Sequence, residues 1–243
     1  IRVANCTTSA QYFHLLRNQA LASTPRPLMI MTPKSLLRAQ ETSCTLADLT
    51  QGSFREVIDD AQAAAHPERV RTLLLCAGKI HWELQGHELR EHADDLAIAR
   101  VELLDPLPLD EILGVVAGYP NLEKLFWVQE EPRNMGAWEH VQRPIGRGRP
   151  YEVSWEFIGR PGRASPSEGY KGSHVIEQER IIREALLTSP AAREFVVTAR
   201  PRLSTSAAEP QDGNGHDAVP AELVEIRPIP ARRSPAARKS RMS

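Results

Sequence analysis

The chain has 243 residues, enough for one large or two small domains, and its 41% hydrophobic and 25% charged residues are the balance of a protein with a real core. A formal net charge of −1 gives no bulk attraction for nucleic acid or membrane, and no unbroken apolar run is long enough to span a bilayer. Cys6, Cys44 and Cys76 make an odd count without C-x-x-C spacing, which argues against structural disulfides and for a reducing compartment. His81, His87 and His92 lack the ligand spacing of a metal site, so no metal is expected.

Thr8 and Gln11 fit a capping box, and Tyr12, Phe13, Leu16 and Ala20 recur at helical spacing, so an amphipathic helix is predicted over 9–21. Pro25 and Pro27 end it, and the apolar run Leu28 to Thr32 reads as a buried parallel strand. This pair has the character of the last unit of an α/β domain over 1–38. Residues 39–69 form a connector with a short helix and an antiparallel edge strand near Phe54. A second domain over 70–190 opens with a strand from Arg71 to Cys76, in which Cys76 is a small core residue. A helix from Lys79 to Glu91 follows, then a strand from Ala97 to Leu103, a helix from Leu109 to Ala117 and a strand from Leu125 to Val128.

A short helix opens near Ala137. From Tyr151 to Ile158 the chain alternates, with Val153, Trp155 and Phe157 on one face and Ser154 and Glu156 on the other, which marks an antiparallel or edge strand. The last helix begins near Ser173 and buries Val175, Ile182, Ala185 and Leu186. Strands alternating with helices give an α/β class with a mostly parallel sheet flanked by helices. Over 198–243, Pro, Ser, Ala, Gly and Arg dominate, and the reading is a disordered tail, basic at Arg232, Arg233, Arg238, Lys239 and Arg241.

Three strings stand out. Val128 to Trp138 carries an apolar strand into adjacent carboxylates, Glu130 and Glu131, before Pro132 and Gly136. Gly159 to Tyr170 reads Gly-Arg-Pro-Gly-Arg-Ala-Ser-Pro-Ser-Glu-Gly-Tyr and is followed by Ser173-His174 and Glu177-Gln178. Thr32 to Arg38 reads Thr-Pro-Lys-Ser-Leu-Leu-Arg. In this order and register, from about Val3 to Leu187, they resemble the C-terminal end of the thiamine-diphosphate-dependent first component of 2-oxoglutarate dehydrogenase, including the actinobacterial multifunctional decarboxylase. The chain departs from that pattern at His81 and Trp82, where tyrosines are common, at Lys171, and in its basic tail.

The resemblance implies a transketolase-type C-terminal layer preceded by the end of a pyrimidine-type domain. It further implies decarboxylation of 2-oxoglutarate in the tricarboxylic acid cycle on thiamine diphosphate with magnesium, in the bacterial cytoplasm, and succinyl transfer to a lipoyl group. The partners it implies are a second copy, in a homodimer, and the dihydrolipoyl succinyltransferase. Neither the cofactor ligands nor a catalytic residue is expected in this chain, which starts without Met or a signal-like segment and suits an inactive fragment. The family's acyl-CoA activator site, which takes acetyl-CoA, points to Arg17 and Arg38, with Arg69, Arg71 and Gln129 as further candidates. Arginine's planar fork suits phosphate. Lys34, Glu130, Glu131 and His174 are assigned interdomain or structural roles, with Lys34 placed to pair with the two acids. Gly146 to Arg149 lacks the strand-turn-helix context of a dinucleotide loop. Two other readings remain, another transketolase-like 2-oxo acid dehydrogenase and a non-catalytic nucleotide- or acyl-CoA-binding regulatory or dimerisation module.

Overall fold

The computed structural model describes residues 1–199, and the predicted basic tail lies outside them but for its first two residues. Strand β1 (Arg2–Ala4) leads to helix α1 (Ser9–Leu21) and strand β2 (Leu28–Ile30); turns over 34–42 and helix α2 (Leu46–Gln51) lead to β3 (Val57–Ile58). Then come β4 (Thr72–Cys76), α3 (Ile80–Gly86), β5 (Leu96–Val101), β6 (Leu103–Asp105) and α4 (Leu109–Ala117). The order ends with β7 (Lys124–Pro132), α5 (Trp138–Gly148), β8 (Ser154–Arg160), α6 (Lys171–Leu186) and α7 (Pro190–Ala199).

Five strands form the main sheet in the order β3-β5-β4-β7-β8, parallel except for β3, which pairs antiparallel with β5. The expected α/β class with a mostly parallel, helix-flanked sheet is therefore what the chain adopts. Its central strands are apolar on both faces because helices cover both. Leu73, Leu75, Ala97, Ala99, Leu125 and Trp127 face one way, against Ile112 and Val116 of α4 and Trp138, Val141 and Ile145 of α5. Leu74, Cys76, Ile98, Phe126 and Val128 face the other, against Ile80 and Leu84 of α3 and Ile181, Ile182 and Leu186 of α6. The alternation is the period of two that a strand imposes on its side chains.

A second sheet, β2-β1-β6, takes β2 parallel and β6 antiparallel to β1. The strand expected from Ala97 to Leu103 thus serves two sheets and changes allegiance at Glu102. Other expectations shift for local reasons. Strand β2 is parallel as read but half-exposed, with Met29 53% accessible, since nothing among the described residues covers its outer side. Helix α1 buries Gln11, His14 and Leu15, leaving Tyr12, Phe13 and Leu16 exposed. The polar pair reaches backbone groups beneath it, His14 at the Asp48 carbonyl of α2 and Gln11 at Ser53 and Arg55 of the loop that follows, which apolar side chains cannot satisfy.

The edge strand near Phe54 forms three residues later, at Val57. Gly86 and His87 break the helix read from Lys79 to Glu91 into α3 and a 3-10 turn. Strand β8 lies at the sheet edge and is parallel. In α6 the buried stripe starts at Gln178, so Val175 stays exposed while Ile182, Ala185 and Leu186 are buried. Helix α7 was not expected from the pattern, although Ser189-Pro190 is a helix-start signature: the Ser189 hydroxyl accepts the Ala192 N–H at 3.0 Å.

Leu74 is fully buried between the central strands and the α3/α6 layer. Leu74→Ala should cost about 2–5 kcal/mol in denaturant unfolding. A loss below about 0.5 kcal/mol, the size of an ordinary surface change, would mean that this layer does not pack on the sheet.

Candidate functional site

In the main sheet, strand order reverses between β4 and β7, and ligands of open α/β sheets bind beyond the carboxyl ends of strands at such a reversal. A crevice of about 600 Å³ opens there, lined by Ala77 and Lys79 after β4, Gln129 to Glu131 on β7, and Asn5 and Thr32 from the small sheet and its loops. Gly78 turns the chain at φ 72°, a conformation that residues with a side chain rarely adopt, and the Asn5 amide of the small sheet's loop packs into the space that a Cβ would take.

The crevice is acidic. Lys79 Nζ sits 2.6 Å from Glu130 and also pairs with Glu83. Burial opposes the charge on Lys79, but the two carboxylates outweigh it and hold its pKa above the ordinary value. Burial also lifts the Glu130 pKa, an effect that Lys79 offsets only in part. Gln178 of α6 donates to both carboxylates, at 2.5 Å to Glu83 and 2.9 Å to Glu130. One ammonium shared between two acids leaves an excess of negative charge, unsuited to a phosphate.

Behind this wall the Gly159-to-Tyr170 string closes on itself. Arg160, 1% exposed, is gripped by Glu168 at 3.0 Å, donates to the Glu130 carbonyl at 2.5 Å and to Gln178 at 3.2 Å, and meets His174 Nδ1 at 3.2 Å. Arg163 adds a second pair to Glu168 at 2.7 Å. A buried guanidinium is tolerated only when paired and hydrogen-bonded in this way. The strand parity that puts Ile158 inside puts Arg160 there too, a signal that the sequence contained.

A second cavity, about 570 Å³, lies under the Thr32-to-Arg38 string and is lined by Thr7, Thr8, Ser9, Tyr12, Thr42, Ser43 and Arg38. Thr8 caps α1, accepting the Gln11 N–H at 3.2 Å, so the positive end of a 13-residue helix and one guanidinium share this space.

The predicted site residues do not assemble as a group. Arg38 lines the second cavity, whereas Arg17 sits eight residues along α1 from Ser9, about 12 Å farther on at 1.5 Å per residue, and is exposed. Arg71 pairs with Glu123 at 2.5 Å ahead of β4, about 16 Å from the crevice across five residues, and Arg69 is exposed beside it. Gln129 lines the crevice with its amide already used: the nitrogen donates toward the Glu131, Pro132 and Met135 carbonyls, and the oxygen accepts from Trp127 Nε1 at 2.9 Å and Trp138 N at 3.0 Å. It holds the turn, not a ligand. Lys34 is exposed and makes no ion pair among the described residues; Lys79 takes the place expected of it beside Glu130. Glu131 lines the crevice, and His174 contacts Arg160. The reading of residues in isolation passed over Lys79, Glu83, Arg160 and Glu168.

The profile of the family described as "2-oxoglutarate dehydrogenase C-terminal" matches residues 43–186. The chain belongs to that family. It is 43% identical over 189 residues to a protein from Shouchella clausii named "2-oxoglutarate dehydrogenase E1 component", with 76% of this chain and 20% of that protein covered. Proteins of the same name from Bacillus subtilis (42% over 189 residues) and Azotobacter vinelandii (38% over 188) match the same shares. The chain thus spans about a fifth of the length of these relatives.

The pairing of Glu168 with Arg160 has a pH signature. The hydrogen bonds from Arg160 hold the Glu168 pKa down at about 2, from an ordinary 4.5. A depressed carboxylate stabilises the fold above its unfolded pKa, and that stability drains as pH falls from 4.5 toward 2. Glu168→Gln should therefore be less stable than the parent at neutral pH and converge with it in this window, read by thermal unfolding against pH. Parallel curves down to pH 2 would refute the pairing.

Proposed function

We propose that this chain is the C-terminal part of the E1 component of a 2-oxoglutarate dehydrogenase, the enzyme that decarboxylates 2-oxoglutarate on thiamine diphosphate and passes the succinyl group to a lipoyl arm. The observation that carries the reading is contiguous 38–44% identity over three-quarters of the chain to proteins bearing that name. On this reading residues 1–38 end a pyrimidine-type domain, 39–69 connect, and 70–190 are the C-terminal α/β layer. The partners are a second copy of the enzyme and the dihydrolipoyl succinyltransferase component, in the bacterial cytoplasm. No helix among the described residues is long and apolar enough to cross a membrane.

The exposed Tyr12, Phe13, Leu16, Met29, Met31 and Leu37 support it, because this apolar surface suits burial against the other four-fifths of such a polypeptide. Among the described residues no three His, Cys, Asp or Glu side chains converge to hold an ion. On this reading magnesium and the cofactor's pyrophosphate are held by another part of the enzyme, and the catalytic step is carried there. Their work is support and regulation.

The Arg38 cavity is the place for an acyl-CoA activator. Arg38 and the start of α1 line it together, and a guanidinium and helix-terminal amides are the donors that a CoA phosphate takes, whereas the Ser9, Thr42 and Ser43 hydroxyls already donate to backbone carbonyls. Arg17, Arg69, Arg71 and Gln129 have no share in it.

The enzyme carrying this chain, purified with thiamine diphosphate and magnesium, should consume 2-oxoglutarate; preference for pyruvate or a branched 2-oxo acid would overturn the reading. In that enzyme Arg38→Ala should raise the half-activating acetyl-CoA concentration about tenfold, the loss of one charge-assisted phosphate contact. Coincident activation curves would remove Arg38 from the site.

A further inference from the structure

Glu102 occupies the single position between β5 and β6 and is 0% exposed. Its backbone is held on both sides, the N–H donating to the Glu56 carbonyl and its own carbonyl accepting from Asn5 N, each at 2.8 Å. Among the described residues its carboxylate is met by Thr7 alone. The Thr7 N–H reaches Oε2 at 2.8 Å and the hydroxyl reaches Oε1 at 2.5 Å. Thr7 is in turn saturated: its hydroxyl accepts from Arg100 at 2.9 Å and its carbonyl from the Trp82 indole at 2.8 Å. The Arg100 guanidinium lies 5.8 Å from the Trp82 ring centre, beside the same group.

Burial raises the Glu102 pKa above the ordinary carboxylate range, against the pull of Thr7, Arg100 and Arg55. A carboxylate buried without a close ion pair is expensive, and an apolar side chain would fill the space at less cost. What it does that an apolar residue cannot is fix Thr7 at two atoms. Thr7 lines the Arg38 cavity and immediately precedes Thr8, the cap of α1. Fixing Thr7 therefore fixes where the amides at the start of α1 point relative to Arg38. Positions that break a local rule at a fold's expense are where function is expected.

We propose that Glu102 is a positioning residue for the Arg38 cavity: acting through Thr7, it aims the N-terminus of α1 at the ligand phosphate and so sets the affinity of the site. The inference rests on the acyl-CoA reading above and adds to it a regulatory residue that does not touch the ligand. Glu102→Gln keeps shape but replaces one of the two accepting oxygens by a donor, so either the Thr7 N–H or its hydroxyl loses its acceptor, and Thr7→Val deletes the hydroxyl at constant size. Thr7→Ser restores it.

The test compares acetyl-CoA activation of the complete enzyme with these three substitutions, alongside KM for 2-oxoglutarate. Glu102→Gln and Thr7→Val should raise the half-activating concentration roughly five- to tenfold while KM moves less than about twofold, the scale of one buried hydrogen bond. Thr7→Ser should fall within about twofold of the parent, as expected when the bond is restored. Half-activation, KM and turnover moving together would show a merely structural role and overturn the proposal, as would a normal activation curve in Glu102→Gln. If Thr7→Val does not fold, by far-UV circular dichroism, the contrast between Glu102→Gln and Thr7→Ser decides. A parent enzyme indifferent to acetyl-CoA would sink the acyl-CoA reading and this inference with it, an outcome distinct from a responsive parent whose variants respond alike.

Discussion

Between Val101 and Leu103 the chain leaves one sheet and enters another without a turn, and this continuity governs the relation of the small sheet to the large one. Hydrogen-bond ladders on both sides of the passage leave the residue between them little room to adjust. The two hydrogen bonds from Thr7 to that residue's carboxylate then tie the start of α1 to the same point. Its neighbours reach both cavities: Asn5 and Leu104 line the crevice beyond β4 and β7, and Thr7 lines the cavity under the Thr32-to-Arg38 string.

The two cavities differ in how their polar groups are employed. Around the crevice Lys79 is committed to carboxylates and Gln129 to its own turn, and behind it Arg160 is committed to Glu168 and Gln178. Such bonding rigidifies the ends of the strands, because any of these groups left alone would carry the full penalty of burial. Arg38, by contrast, takes part in no ion pair among the described residues and stands exposed beside a helix N-terminus. The hydroxyls around it are bonded to backbone carbonyls, so Arg38 is the charged group there that a ligand can recruit.

The periodic signals in the sequence carried much of the architecture. Continuous apolar runs placed β4 and β7, alternation gave β8 as an edge or antiparallel strand, and the helices read over 109–117 and from Ser173 are α4 and α6, the latter with Ile182, Ala185 and Leu186 inside but Val175 outside. What escaped had a tertiary cause. The burial of Gln11 and His14 in place of Tyr12 and Phe13 depends on backbone partners 42 and 34 residues away, in α2 and the loop after it, and β6 is a strand only because β1 comes to meet it. Among site residues, the long strings were conspicuous but not their inner logic. Ion pairs such as Lys79–Glu130 join segments about 50 residues apart, and spacing along the chain carries no record of them. The saturation of Gln129 is likewise invisible until the turn over 131–138 folds back on its amide.

The placement of the four tryptophans has a practical side. Trp127, Trp138 and Trp155 belong to one apolar layer, the last two with ring centres 5.3 Å apart. Trp82 stands apart from them, its indole nitrogen bonded to the Thr7 carbonyl and its ring near a guanidinium. Indole emission responds to a neighbouring cation and to loss of a hydrogen bond. The junction between the sheets therefore carries its own optical gauge, one that reports its state without an attached dye.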